Sequence, residues 1–245
     1  MTKKIDTATL IPCLLMTLLG SFLVWRSGDA VTTGDLTFSI GFLAYIFVAN
    51  VVSFNSNKLQ FSQYEKNNIS FEPMGKHSLG RGQFINESEF LIYFGISKVI
   101  SFLVPLLLVL FGPSDIAVMV TPSLVLVLAQ AVAEQSTGSC HDVLRILIPI
   151  GYSAYRLFGP LQVWALDSLI LYRLEKQQQS TTGEFEFMYT FNLLLAWSDL
   201  AFAAWNLFGF LLLRALPLYF DKEETPRVEM AYTLLPLPKK HKIKV

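Results

Sequence analysis

MYTFNLLLAWSDLAFAAWNLFGFLLL, residues 188–213, decides the fold. As a helix rising 1.5 Å per residue it extends about 39 Å, enough to cross the roughly 30 Å hydrocarbon core of a bilayer. A single charged side chain, Asp199, interrupts it near the middle. An acid at the bilayer centre costs about 2.5–3.5 kcal/mol on insertion scales, so Asp199 needs a polar partner or water. Asn192, Ala196, Asp199, Ala203 and Asn206 recur at intervals of three and four. They share one helix face with small residues between polar ones, and such a face should point into a helix bundle.

Outward from this segment the same texture repeats. Residues 7–25, 36–54, 90–111 and 116–133 are apolar blocks of membrane-crossing length. The chain is 53% hydrophobic and 16% charged, against about 25% charged in soluble domains, and its mean hydropathy is +0.47. The fold class is therefore all-α, a polytopic transmembrane helix bundle over residues 1–220. The first block follows Lys3 and Lys4 but is longer than the 7–15 apolar residues of a typical signal peptide, so it reads as a retained crossing. Ser27-Gly28-Asp29 and Thr33-Gly34-Asp35 read as the turn that closes a first hairpin, and Gly112-Pro113-Ser114-Asp115 as the turn of a second. Residues 55–89 form a long polar loop, and residues 221–245 a charged tail expected to be disordered.

Residues 143–176 admit two readings. Arg145, Arg156, Asp167 and Arg173 interrupt the apolar pattern, and Gly159-Pro160 should kink or break a helix. The region is either one broken crossing over about 146–171 or two helices on the membrane surface. With six crossings, the N-terminus, the polar loop, Arg145 and the tail share one side, which then carries 14 of the 19 Lys and Arg. The positive-inside rule reads that side as cytosolic, so six crossings is preferred and five is the alternative. No address signal names the organelle; an endomembrane and a plastid membrane both fit.

Asp199 has two candidate partners, Arg156 at mid-depth and Lys98 in the third block, with Arg156 preferred because lysine can snorkel to the surface. Lys98, Ser101 and Pro105 form a polar stripe on the third block; Ser123, Gln130 and Glu134 form one on the fourth. The intramembrane polar candidates are thus Asp199, Arg156, Lys98, Glu134, Gln130, Asn192 and Asn206. Three functions are weighed on them. A non-enzymatic scaffold or assembly factor for other membrane components uses them to fix helix packing. A small carrier or channel uses Asp199 with Arg156 or Lys98 along its path. A lipid-modifying enzyme would need two convergent acids or bases.

Enzyme signatures are weak. His77, His141 and His241 all fall outside the four blocks and the last segment, and Cys13 and Cys140 have no ligand spacing, so no metal, haem or other cofactor is expected. Gly151-Tyr152-Ser153 begins like a serine-nucleophile motif, but residue 155 is Tyr rather than Gly. No catalytic residue is assigned. Zero formal net charge argues against nucleic acid, leaving membrane lipids and other membrane proteins as the expected partners.

Residues 130–134, 147–158 and 206–212 (Asn-Leu-Phe-Gly-Phe-Leu-Leu) resemble a family of plant and algal multi-span membrane proteins catalogued as a domain of unknown function. The resemblance covers about residues 118–220, through Gln130, Glu134, Pro149, Tyr152, Arg156, Phe158, Asn206 and Gly209. Over the N-terminal third it consists only of apolar character. It implies a photosynthetic or related source, draws attention to Arg156 and Glu134, and brings no activity with it.

Overall fold

The computed structural model describes residues 7–54, 88–137, 140, 142–178 and 183–216, and there every regular element is helical. The polar loop over 55–89, apart from its last two residues, and the charged tail lie outside the described residues, as do the three histidines. Helix α1 is Thr7–Ser27, and α2 is Thr33–Ala49 continued by a π-helical turn at Asn50–Phe54. Helix α3 runs Ser88–Lys98, widens into π-helical turns at Val99–Leu103, and resumes as Val104–Phe111. Helices α4, Ser114–Ser136, α5, Asp142–Phe158, and α6, Pro160–Gln178, follow. Helix α7 is Gly183–Ala204, continued π-helically over Trp205–Ala215.

Among the described residues, five stretches are long and apolar enough to cross a membrane: Leu10–Ser27, Thr33–Ser53, Ile92–Phe111, Ser114–Ser136 and Phe187–Leu213. Helix α4 lies at the centre, packed against α1, α2, α3, α5 and α6, and it is the most buried of the five. Leu23, Leu108, Ile116, Val120, Leu124, Leu161, Trp164 and Ala196 meet around it as the main core.

One sequence expectation changes. Thr33-Gly34-Asp35 is not turn but the first turn of α2: the Asp35 N–H donates to Thr32 Oγ1 at 3.1 Å and Asp35 Oδ2 accepts from the Thr32 N–H at 3.0 Å. This capping box satisfies two amide groups that would otherwise be orphaned, so the helix starts three residues early. The left turn is shorter, Gly28–Ala30, and needs glycine at Gly28, where φ is +62°. In α3, Pro105 has no N–H for the Ser101 carbonyl, and the helix adapts by a five-residue step in which the Val104 N–H bonds the Val99 carbonyl.

Residues 143–176 form two helices broken at Gly159, as Gly159-Pro160 demands, and both lie along α7. Ile146 clusters with Leu211, Ser153 bonds Asn206, Arg156 bonds Asp199, and Trp164 and Ser168 bond Asn192. From Ile146 to Ser168 the rise is about 33 Å, and from Asn192 to Leu211 about 28 Å. The broken element therefore runs antiparallel to α7 over a length comparable to a hydrocarbon core.

Helix α2 leans on α5 through aromatic rings. Phe38 stacks on Tyr155 with centroids 3.9 Å apart, and the Phe42 ring lies against the backbone of Gly151. Any side chain at Gly151 would overlap that ring, which is itself held by Phe38 and Tyr152. Gly151→Val is expected to cost about 1–3 kcal/mol by overpacking. Thermal unfolding in detergent checks it, with Phe42→Leu in the same chain expected to recover part of the loss.

Candidate functional site

Asp199 is fully buried, and its carboxylate is shared between two helices. Oδ2 takes a charge-assisted hydrogen bond from an Nη of Arg156 on α5, and Oδ1 accepts from the Ser101 hydroxyl on α3. Arg156 Nε donates to Ser123 Oγ on α4 at 2.8 Å. One ion pair thus joins α3, α4, α5 and α7. The widened turn around Val99–Leu103 carries Ser101 at its centre.

Two amides repeat the arrangement seven residues to either side. Asn192 Oδ1 accepts from Trp164 Nε1 at 3.0 Å, and Nδ2 donates to Ser168 Oγ at 2.8 Å, both on α6. Asn206 Oδ1 accepts from the Tyr93 hydroxyl of α3 at 3.1 Å, while Nδ2 donates to Ser153 Oγ of α5 at 3.2 Å. Ala196 and Ala203, both buried, lie between the polar positions and let neighbouring helices approach. The polar residues therefore form three rungs about 10 Å apart along α7.

The remaining candidates form a separate group. Gln130 Nε2 donates to Glu134 Oε1 at 2.7 Å, one turn along α4. Lys98 is not a partner of Asp199; its ammonium lies 5.0 Å from the Phe94 ring centroid and within electrostatic reach of Glu134 and Arg156. Glu134 in turn feels both Lys98 and Arg145. Cys140, between α4 and α5, is buried; burial pushes its thiol pKa up, against a smaller downward pull from Arg145, so it is a poor nucleophile at neutral pH. Among the described residues, no three His, Cys, Asp or Glu side chains gather as a metal site.

Ser101 and Ser123 were visible in the sequence as stripe residues. Tyr93, Ser153, Trp164 and Ser168 were not singled out as partners, and the available signal was the seven-residue spacing of Asn192, Asp199 and Asn206, which brings the same face of a helix back to the same neighbours.

Residues 13–223 match the family described as Domain of unknown function (DUF7733). The chain belongs to this family. The DUF7733 match runs from within α1 past the end of α7, so the α1–α2 hairpin is part of the domain and not merely an apolar extension of a shorter resemblance. All three rungs lie inside it. No curated protein and no solved structure matches the chain.

Proposed function

We propose that this DUF7733 chain is an integral membrane protein of six crossings, with both termini on the cytosolic side, that serves as a non-enzymatic scaffold or assembly factor for other membrane components. One observation carries the reading: Asn192, Asp199 and Asn206 each spend both side-chain polar atoms on neighbouring helices. Polar groups matched in this way fix a helix arrangement. The outer surface meanwhile offers broad apolar faces, such as Leu10, Leu14 and Leu18 on α1 and Ile40, Phe47 and Val51 on α2, suited to lipid and to other helices. Crosslinking in the native membrane is expected to capture neighbouring membrane proteins, and a chain that stays monomeric and captures none would contradict the reading.

The crossing number has its own test. In a microsomal insertion assay, the glycosylation sequons Asn68-Ile69-Ser70 and Asn86-Glu87-Ser88 of the polar loop and an acceptor added to the tail are all expected to stay unglycosylated. Modification of the tail alone would mean five crossings, with α5 and α6 outside the membrane.

A carrier is the second reading, and the group formed by Lys98, Gln130 and Glu134 favours it, because it extends charge from the neighbourhood of Arg156 toward the end of α4. In that reading Asp199→Asn abolishes flux through liposomes while the fold survives.

A further inference from the structure

Gln162 is exposed on α6, three residues past the break at Gly159. Two short contacts fix its depth. Ser153 meets Asn206 and Ser168 meets Asn192, and Gln162 lies nine residues after the first serine and six before the second. It is therefore level with Trp197 and Ser198 of α7, next to Asp199. From there the nearer end of the apolar window Phe187–Leu213 is about 15 Å away, half of a hydrocarbon core of roughly 30 Å.

At that depth an uncovered amide is costly, because hydrocarbon offers it neither donor nor acceptor. On α1 the exposed hydroxyls are met within their own helix: Thr17 donates to the Cys13 carbonyl at 2.8 Å and Ser21 to the Thr17 carbonyl at 2.9 Å. The Gln162 amide has no hydrogen-bond partner among the described residues. Its direction gives no escape either. A helical side chain points back toward the start of its own helix, and α6 starts at the break, so Gln162 is aimed deeper into the membrane rather than toward the nearer face.

The surroundings suit a second copy of this chain. Phe158, Val163 and Leu166, on either side of Gln162 in sequence, are each more than half exposed. Phe158 is backed by Phe208 of α7, also exposed, with ring centroids 6.5 Å apart. Residues 158–166 include no charged side chain, so identical copies meet there without repulsion. A primary amide both donates and accepts, and across a twofold axis it is its own complement. Resting on the six-crossing reading, we propose that the chain forms a twofold-symmetric dimer within the membrane, in which each Gln162 donates one N–H to the other's carbonyl and Phe158, Val163 and Leu166 pack around the pair. Polar side chains join membrane helices in this way because lipid cannot compete for their hydrogen bonds.

The test uses the full-length chain in phosphatidylcholine liposomes, with Cys13 and Cys140 replaced by serine. Under mild oxidation Gln162→Cys copies are expected to join as a disulfide-linked dimer, whereas Leu18→Cys copies, exposed on α1, stay separate. Energy transfer between copies carrying donor and acceptor fluorophores, followed as added lipid dilutes the protein, is expected to show a dimer that Gln162→Leu weakens about 3- to 30-fold. The thermal midpoint of that variant at high dilution should not fall, since no bond within the chain is lost. Copies that stay monomeric at every dilution, or a dimer that Gln162→Leu leaves intact, overturn the proposal. Failure of the six-crossing reading has a different signature. The thiol of Gln162→Cys is expected to resist a membrane-impermeant maleimide present on both sides, and prompt labelling would put residue 162 in water and remove the crossing and the dimer together.

Discussion

Asp199→Ala is expected to lower the thermal unfolding midpoint of the detergent-purified protein by the largest amount of any single substitution in the bundle, at a cost of about 3–5 kcal/mol. The magnitude follows from what is left behind. Arg156 is nine-tenths buried, and without the carboxylate its guanidinium keeps only Ser123. The Ser101 hydroxyl loses its acceptor as well. Arg156→Met should be comparably harmful, since it strands the aspartate instead. The double variant Arg156→Met, Asp199→Leu should be milder than either single one, because two apolar side chains strand no charge. A double variant as damaged as the sum of the singles would mean that the two residues act independently. Asp199→Asn separates the functional readings: a scaffold keeps its assembly with a modest loss of stability, and a carrier loses its flux.

The pair was legible because charge inside a membrane is costly and therefore rare. Within the last block only Asp199 required a partner, and Arg156 lay at a matching depth. Lys98 matched less well for a reason that sequence distance hides. A helical side chain points back toward the start of its own helix, so Lys98 is directed toward Phe94 and Glu134 rather than toward Asp199. The turn widened ahead of Pro105 gives Ser101 the place instead. Partners of the two asparagines depend on the register between the broken α5–α6 element and α7, which no periodicity within one helix encodes. Asp35 was misplaced for a related reason: Thr-Gly-Asp satisfies turn statistics, while its role as a cap depends on Thr32, just before it. Local chemistry thus gave the apolar helices and the costly acid, and packing decided which hydroxyls and amides met.

Asn192→Leu tests that packing where it bears most on the fold. Asn192, Trp164 and Ser168 are all essentially inaccessible, so leucine leaves the indole N–H without its acceptor and the Ser168 hydroxyl without its donor. Stranding them costs about 1–3 kcal/mol, at the lower end if the membrane-unfolded state finds other partners. Thermal unfolding is expected to show the loss, and adding Trp164→Phe, which removes the stranded N–H, should recover part of it. Asn206→Leu should cost less, because Asn206 and Tyr93 are only partly buried and the Tyr93 hydroxyl is better placed to find another partner. The same variant discriminates the topologies. If α6 lay on the membrane surface away from α7, leucine at residue 192 would exchange a polar side chain for an apolar one in lipid and leave stability unchanged or raised. A lowered midpoint, rescued by Trp164→Phe, requires α6 against α7 at the depth of Asn192. The broken element would then be the sixth crossing, with Arg156 carried to the level of Asp199.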